Sequence, residues 1–344
     1  MPLISTRFTA LLGVKTPIAL APMGGIVRAE MVVEITKAGG FGFLGTANDS
    51  PQLIVEQFQI IRSQLGLGAD DVLPVGIGFI GWVLDRTEVS DDPRLERTLA
   101  EKPKAIWFAF GTDLSKHVRK VQEYDAKREH KTLIFVLVNN VEDALKAANE
   151  WKVDGLVVQG GEAGGHGSAD APPLSVLMSA ILSVLPEDGP VLVAAGGIAT
   201  GAQIASVLTL GAAGAVLGTR FLLTHEAIFM PLKKQILLEA GLNSTARSMA
   251  FDEVNRSMFW PQGIDGRAIA NKIIEDEKDG HDMEERLKRH DEGKANGQKD
   301  RQVVWAGVGA GLTTEIKSTS EVVAELHAQT VQALKRVSTL VPPT

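Results

Sequence analysis

The stretch Gln159 to Ser168, QGGEAGGHGS, sets one histidine and one carboxylate among five glycines. Glycine costs backbone entropy and packs nothing, so such a run marks a tight turn, a close approach of backbone, or a ligand. His166, placed there, can serve as base, acid or electrostatic partner near neutral pH. Glu162 is the one acid beside it, able to orient His166 or to accept hydrogen bonds from loop amides. A metal centre needs several His or carboxylate ligands at set spacing, such as His-Glu-x-x-His, and the chain carries no such motif. With no cysteine in the sequence, thiol catalysis, disulfides and iron–sulfur clusters are excluded. A Gly-x-Ser-x-Gly nucleophile elbow is also absent, which leaves hydrolysis a minor option.

Other glycines recur where a phosphate could be wrapped. They lie in Ala21-Pro22-Met23-Gly24, in Gly160 to Gly167, in Gly196-Gly197 and in Leu217-Gly218-Thr219. Consecutive N–H groups free of side chains form anion-binding concavities. Two dinucleotide-fingerprint matches, Gly40-x-Gly42-x-x-Gly45 and Gly76-x-Gly78-x-x-Gly81, lie inside apolar strand-like runs rather than between a strand and a helix. Small residues packing between strands explain them better. Phosphate-binding loops without acyl-transfer machinery put the hard chemistry on a bound phosphorylated cofactor.

The elements that position these residues follow from eight apolar segments. They are 17–23, 40–46, 73–80, 104–111, 131–138, 154–160, 190–197 and 214–221, mostly continuous rather than alternating, as in parallel strands buried on both faces. Between them, Val141, Ala144, Leu145 and Ala148 share one face of a helix that Asn140 could cap, and ATGAQIASVLTLG ends at Gly211 as a helix would. Repeated βαβ units at this count predict an α/β fold, a (β/α)₈ TIM barrel with a mainly helical C-terminal insertion or extension. An open doubly wound sheet is the runner-up. In a barrel the glycine runs fall at the strand C-terminal ends, the catalytic mouth, and the loops after strands seven and eight commonly take a phosphate.

The expected organisation is a barrel over 1–221, a mainly helical segment capping the mouth over 222–310, and a closing helix over 311–344 with Ser320 as its N-cap. The run IIEDEKDGHDMEERLKRHDEGKANGQKDR reads as a solvated helix or flexible excursion. His117, His130, His281, His290 and His327 are expected at solvent, while His225 could line the mouth. Net charge of −7 over 344 residues, with 44% hydrophobic and 22% charged residues, describes a globular chain with a large core. It argues against a nucleic-acid partner. No apolar run reaches the roughly 18 residues of a membrane span. No basic start precedes an apolar stretch, so the expected place is intracellular, in the cytoplasm.

QGGEAGGHGS, APMGGI, AAGGIATG and LGTRF, in this order along the chain, resemble the signature segments of FMN-dependent nitronate monooxygenases, once called 2-nitropropane dioxygenases. The likeness covers Pro17 to Phe221 well and the rest loosely. It implies FMN as cofactor, with Ala21, Pro22, Met23 and Gly24 against the flavin ring system and Gln159 reaching its polar atoms. Gly164 and Gly165 would let backbone approach, and Gly196, Gly197, Leu217, Gly218 and Thr219 would hold the phosphate. His166 would be catalytic, removing the α-proton of a nitroalkane or stabilising a nitronate anion. The implied reaction is oxidative denitrification of alkyl nitronates such as propionate 3-nitronate by O₂, giving a carbonyl compound and nitrite; a homodimer is compatible with it.

Some relatives line the pocket with tyrosines, but the one tyrosine here, Tyr124, falls in an expected outer helix. Trp82, Phe110, Trp260 or Trp305 must serve instead, and WAGVGAGL (305–312) reads as a loop returning to the mouth. The alternative activity is an NAD(P)H-dependent FMN enoyl-thioester reductase, since both classes can carry the Glu-Ala-Gly-Gly-His loop. A barrel that binds FMN or a phosphosugar without turnover is the third.

Overall fold

The computed structural model describes residues 3–340; the first two residues and 341–344, the end of the expected closing segment, lie outside the described residues. Each of the eight apolar segments matches one strand, the fourth beginning one residue before its segment. They are β1 (Ile18–Leu20), β2 (Phe41–Gly45), β3 (Leu73–Ile80), β4 (Pro103–Ala109), β5 (Leu133–Val138), β6 (Gly155–Gln159), β8 (Val191–Ala195) and β9 (Gly214–Leu217). All pair in parallel, and β9 returns to β1 in the register Leu20 to Leu217, which closes the barrel. The two helices read from the sequence form as well. Val141–Asn149 is capped by the Asn140 side chain, and Gly201–Leu210 stops at Gly211 with φ +116°.

The barrel interior is filled by rings rather than left as a pore. Phe43 meets Phe41, Trp107 and Phe135 edge-on, with centroids 5.0, 5.2 and 5.8 Å apart. Space for them comes from glycine: a Cβ on Gly76 would stand 2.3 Å from the Phe43 ring, and one on Gly155 equally close to Phe135. The other glycines of the fingerprint-like runs in β2 and β3 are close-packed too, Gly42 against Ile35 and Val32 and Gly78 against Pro22. Burying one such phenylalanine is worth roughly 1.5–3 kcal/mol. Phe8 and Leu12, on the helix Arg7–Leu12, join the same interior cluster from the N-terminal segment.

Three strands depart from the expectation. The second half of the glycine loop is itself a strand, β7 (Gly165–Ser168), which leaves the barrel and pairs antiparallel with β11 (Ile264–Ile269); β11 pairs in turn with β10 (Thr245–Ser248). Sequence periodicity does not reveal β10 and β11, because TARS and IDGRAI carry arginines that are satisfied locally. Arg247 donates to the Asp265 carboxylate and to the Gly167 carbonyl. The charged run beyond them is not a free excursion. It forms the helices Lys272–Lys278 and Met283–Ala295, the second of which buries Arg286 and His290. Arg286 pairs with Glu253 at 2.6 Å, and Arg289 and Arg301 both pair with Asp276.

The last helix, Thr319–Ser338, begins two residues earlier than expected: Ser318, not Ser320, caps it, in a reciprocal box with Glu321. It crosses the helix Gly201–Leu210 so closely that a Cβ on Gly201 would fall 2.4 Å from that of Gln329. The histidines also correct the expectation of solvent. His117 and His327 are buried beside apolar neighbours on their helices, and His290 is buried on a face it shares with Arg286 and Gly293. Among the described residues no helix is long and apolar enough to cross a membrane.

Candidate active site

A cavity of about 340 Å³ opens at the C-terminal ends of the barrel strands. It gathers nearly all the residues singled out in the sequence. Ala21, Pro22, Met23 and Gly24 enter from the end of β1, and Gln159, Gly164, Gly165 and His166 from β6 and β7. Gly196, Gly197, Gly218 and Thr219 complete the rim after β8 and β9. Leu217 is the exception. It sits one residue back, buried in the layer between strands and helices, where its carbonyl accepts from the Ala21 N–H.

His166 stands on β7 directly opposite Gly266 of β11. Its Nε2 lies 2.9 and 3.0 Å from the two carboxylate oxygens of Asp252, a residue with no solvent exposure. Asp252 also accepts from Ser257 Oγ at 2.7 Å and Trp260 Nε1 at 3.0 Å. The Trp260 ring stacks on the imidazole with centroids 3.5 Å apart and planes 13° from parallel, while Trp305 tilts against it at 4.7 Å. An ionised carboxylate only accepts, so the Nε2 that faces it carries a proton, and in the neutral ring Nδ1 is then the lone pair. Among the described residues Nδ1 has no hydrogen-bond partner. Sequence reasoning did not find Asp252, which lies 86 residues away in a short helix with no spacing signal.

Gln159 is held by a second residue absent from the sequence reading. Asn139, at the end of β5, donates from Nδ2 to the Gln159 carbonyl at 2.7 Å and to its Oε1 at 3.1 Å; Gln159 Nε2 then donates to the His166 carbonyl at 3.3 Å. Arg267 of β11 clamps the glycine loop from outside, giving Nη2 to the Gly161 carbonyl at 2.9 Å. Its burial, and then the nearby Arg247 cation, push the Arg267 guanidinium below its ordinary value.

Gly196 and Gly197 adopt φ of +114° and +70°, a region that only glycine occupies cheaply. A Cβ on Gly197 would press on the Glu162 Cβ at 2.9 Å and on Val308 at 3.1 Å. Among the described residues the N–H groups of Gly197, Ile198, Gly218 and Thr219 find no protein acceptor. The Thr219 hydroxyl is already committed, accepting from the Gly307 N–H at 3.0 Å. The cavity lining contains no lysine or arginine. These residues fit a phosphorylated flavin: free amide donors for the phosphate, a largely apolar lining for the rings, and Gln159 for polar ring atoms.

Of the aromatic candidates, Phe110, Trp260 and Trp305 line the cavity, with Gly307 and Gly309 from the returning loop beside them. Phe110 does so at φ +58°, a costly conformation for a large side chain. Trp82 lies behind, 5.7 Å from Trp260. Tyr124 is on the outer helix Ser115–Asp125 under the Arg128 guanidinium. Glu162 turns away from His166 and accepts the Leu174 N–H at 2.9 and 3.0 Å, at the start of the helix Leu174–Leu182. His225 is exposed and does not reach the cavity, so the mouth takes no second histidine. Among the described residues no group of three or more His, Cys, Asp or Glu is placed to hold a metal ion.

A family model described as nitronate monooxygenase matches residues 80–329, running past the barrel through the segment that supplies Asp252, Trp260 and Trp305. A nitronate monooxygenase of Neurospora crassa is 32% identical, over 94% of this chain and 91% of that protein. Two solved structures share the fold. FabK from Thermotoga maritima has a TM-score of 0.77 at 22% identity, covering 98% of this chain and all of its own. A nitroalkane oxidase from Streptomyces ansochromogenes has a TM-score of 0.75, also at 22% identity, covering 95% of this chain and 99% of its own. By the extent of the family match and by its identity to the fungal enzyme, the chain belongs to the nitronate monooxygenase family of flavin-dependent oxidoreductases.

Proposed function

We propose that this chain binds FMN and oxidises small alkyl nitronates with O₂ to a carbonyl compound and nitrite, accepting propionate 3-nitronate or the parent nitroalkanes as substrates. The observation that carries the reading is a lone histidine, His166, facing a glycine-lined cavity with one ring nitrogen unpartnered. FMN, when bound, supplies the one-electron chemistry that no side chain here can perform. The glycines at 196, 197 and 218 and the N–H of Thr219 would hold its phosphate, and Ala21 to Gly24 with Gln159 would hold its rings.

His166 Nδ1 then takes the α-proton of a neutral nitroalkane, or, once protonated, donates to a nitronate oxygen. Phe110, Trp260 and Trp305 exclude water around that transfer. The segment 222–310 caps the mouth by supplying Trp260 and Trp305. A positioned base contributes about 10²–10⁴-fold, so His166→Asn should depress nitroalkane turnover by that order and nitronate turnover far less.

The test is nitrite release in air from a nitronate, beside addition of NADPH under argon. Nitrite formation with no bleaching by NADPH is expected. Rapid bleaching by NADPH without nitrite would replace this reading with the enoyl-thioester reductase.

A further inference from the structure

We infer that Asp252 is the positioning residue of the site: one buried carboxylate fixes the His166 tautomer, so that Nδ1 is the working base, and at the same time anchors the indole that covers it. The chemistry rests on the nitronate reading; the geometry does not. Asp252 sits on the short helix Ala250–Asn255, after which the chain reverses at Arg256 with φ +57° and brings Ser257 and Trp260 back over the same carboxylate. Among the described residues His166 is its sole ion-pair partner within 4 Å. Among those residues no lysine or arginine pairs with it.

Three donors therefore converge on a fully buried acceptor, and among the described residues the imidazole is the one that serves Oδ2, which its loss would leave desolvated. Trp260 Nε1 and Ser257 Oγ both bond Oδ1, at 3.0 and 2.7 Å. That leaves Oδ2, 2.9 Å away, as the closest contact of the imidazole. Trp260 is thereby held at its N–H end while its ring lies flat on the histidine. The imidazole is fixed in plane by the carboxylate and on one face by the indole, and its free edge carries the Nδ1 lone pair. In the proton transfer that lone pair takes the α-proton, the C–H electron pair passes into the nitro group to form the nitronate, and the resulting imidazolium stays bonded to Asp252.

Asp252→Asn tests the assignment by reversing one donor. The amide oxygen keeps Ser257 and Trp260, so the amide NH₂ faces Nε2, which must then accept, and the ring proton moves to Nδ1. Nitrogen-15 spectra of imidazole-labelled protein, with and without flavin, read the tautomer directly. The expected result is Nε2–H in the wild type and Nδ1–H in the variant. In the variant kcat/KM for a nitroalkane should fall about 10²–10⁴-fold, while that for the preformed nitronate falls less than about tenfold.

Trp260→Phe, which keeps the stack and drops one donor, should preserve the Nε2–H tautomer. An Nδ1–H tautomer in the wild type overturns the proposal without any variant, as does equal loss on both substrates. If the wild type oxidises neither substrate but shows Nε2–H, the nitronate reading fails and the positioning assignment stands.

Discussion

Gly266 and Trp305 share one volume: a Cβ built on Gly266 would lie 2.3 Å from the Trp305 ring. Gly266 is directly across the ladder from His166, so the side chain missing from β11 is replaced by an indole returning from a later loop. That indole packs on the imidazole and, edge-on, on Phe251, the neighbour of Asp252.

Gly266→Ala should therefore do two things at once. Overpacking of this kind costs about 1–3 kcal/mol, and the displaced Trp305 loosens the wall beside His166. The expected outcome is a lowered Tm together with a loss of turnover larger than the unfolded fraction explains. Full turnover per folded molecule at a lowered Tm would remove Trp305 from any part in the reaction.

Gly197→Ala addresses the phosphate side. The substitution forces a side chain into a left-handed conformation and against Glu162 and Val308, a strain of order 1–3 kcal/mol. Because Gly197 borders the proposed phosphate cradle, flavin retention should suffer first. Titration of the apoprotein with FMN, followed by flavin fluorescence quenching, should show at least about tenfold weaker binding. Affinity equal to wild type would move the phosphate elsewhere in the cavity.

The barrel was readable because continuous apolar runs at regular spacing have few other uses, and the glycine loops were readable because glycine is expensive to keep. Twelve of the thirteen positions drawn from motifs reach one cavity, Leu217 being the one that does not. What the sequence hid was everything set by long-range approach. Asp252 and Asn139 are ordinary polar residues until folding brings them 86 and 20 residues along the chain to their partners. β10 and β11 were hidden for a different reason: they carry partly buried arginines that bond backbone carbonyls, which erases the alternation of a half-buried strand. Glu162 looked like a partner for His166 by proximity in sequence alone, and strand β7 turns the two apart.

Glu162→Ala should accordingly read as a helix-capping defect. Its carboxylate accepts the first N–H of the helix Leu174–Leu182, where negative charge is also favoured by the helix dipole. Removing such a cap costs about 0.5–2 kcal/mol. Glu162→Gln retains the acceptor and should recover most of the loss in chemical denaturation. A drop in kcat at saturating substrate with unchanged stability would instead place Glu162 in the chemistry.

Stability should also depend on pH through histidines that the reaction does not use. Burial pushes His117, His130 and His290 below the ordinary imidazole value of 6.5. For His117 this desolvation outweighs the opposing Asp85 carboxylate, 2.8 Å from its Nε2. As pH falls through 6.5 the unfolded chain takes up these protons before the folded one does. The unfolded state then binds more protons, so unfolding free energy rises with pH across this window and is lost as pH falls. Urea midpoints should decline between about pH 7.5 and pH 5.5, and His290→Gln should flatten part of that slope. Carboxylates held low by their ion pairs, such as Asp85 and Asp276, act only at still lower pH and leave this window to the imidazoles. A midpoint that stays level or climbs on acidification would show that these rings are charged in the native state.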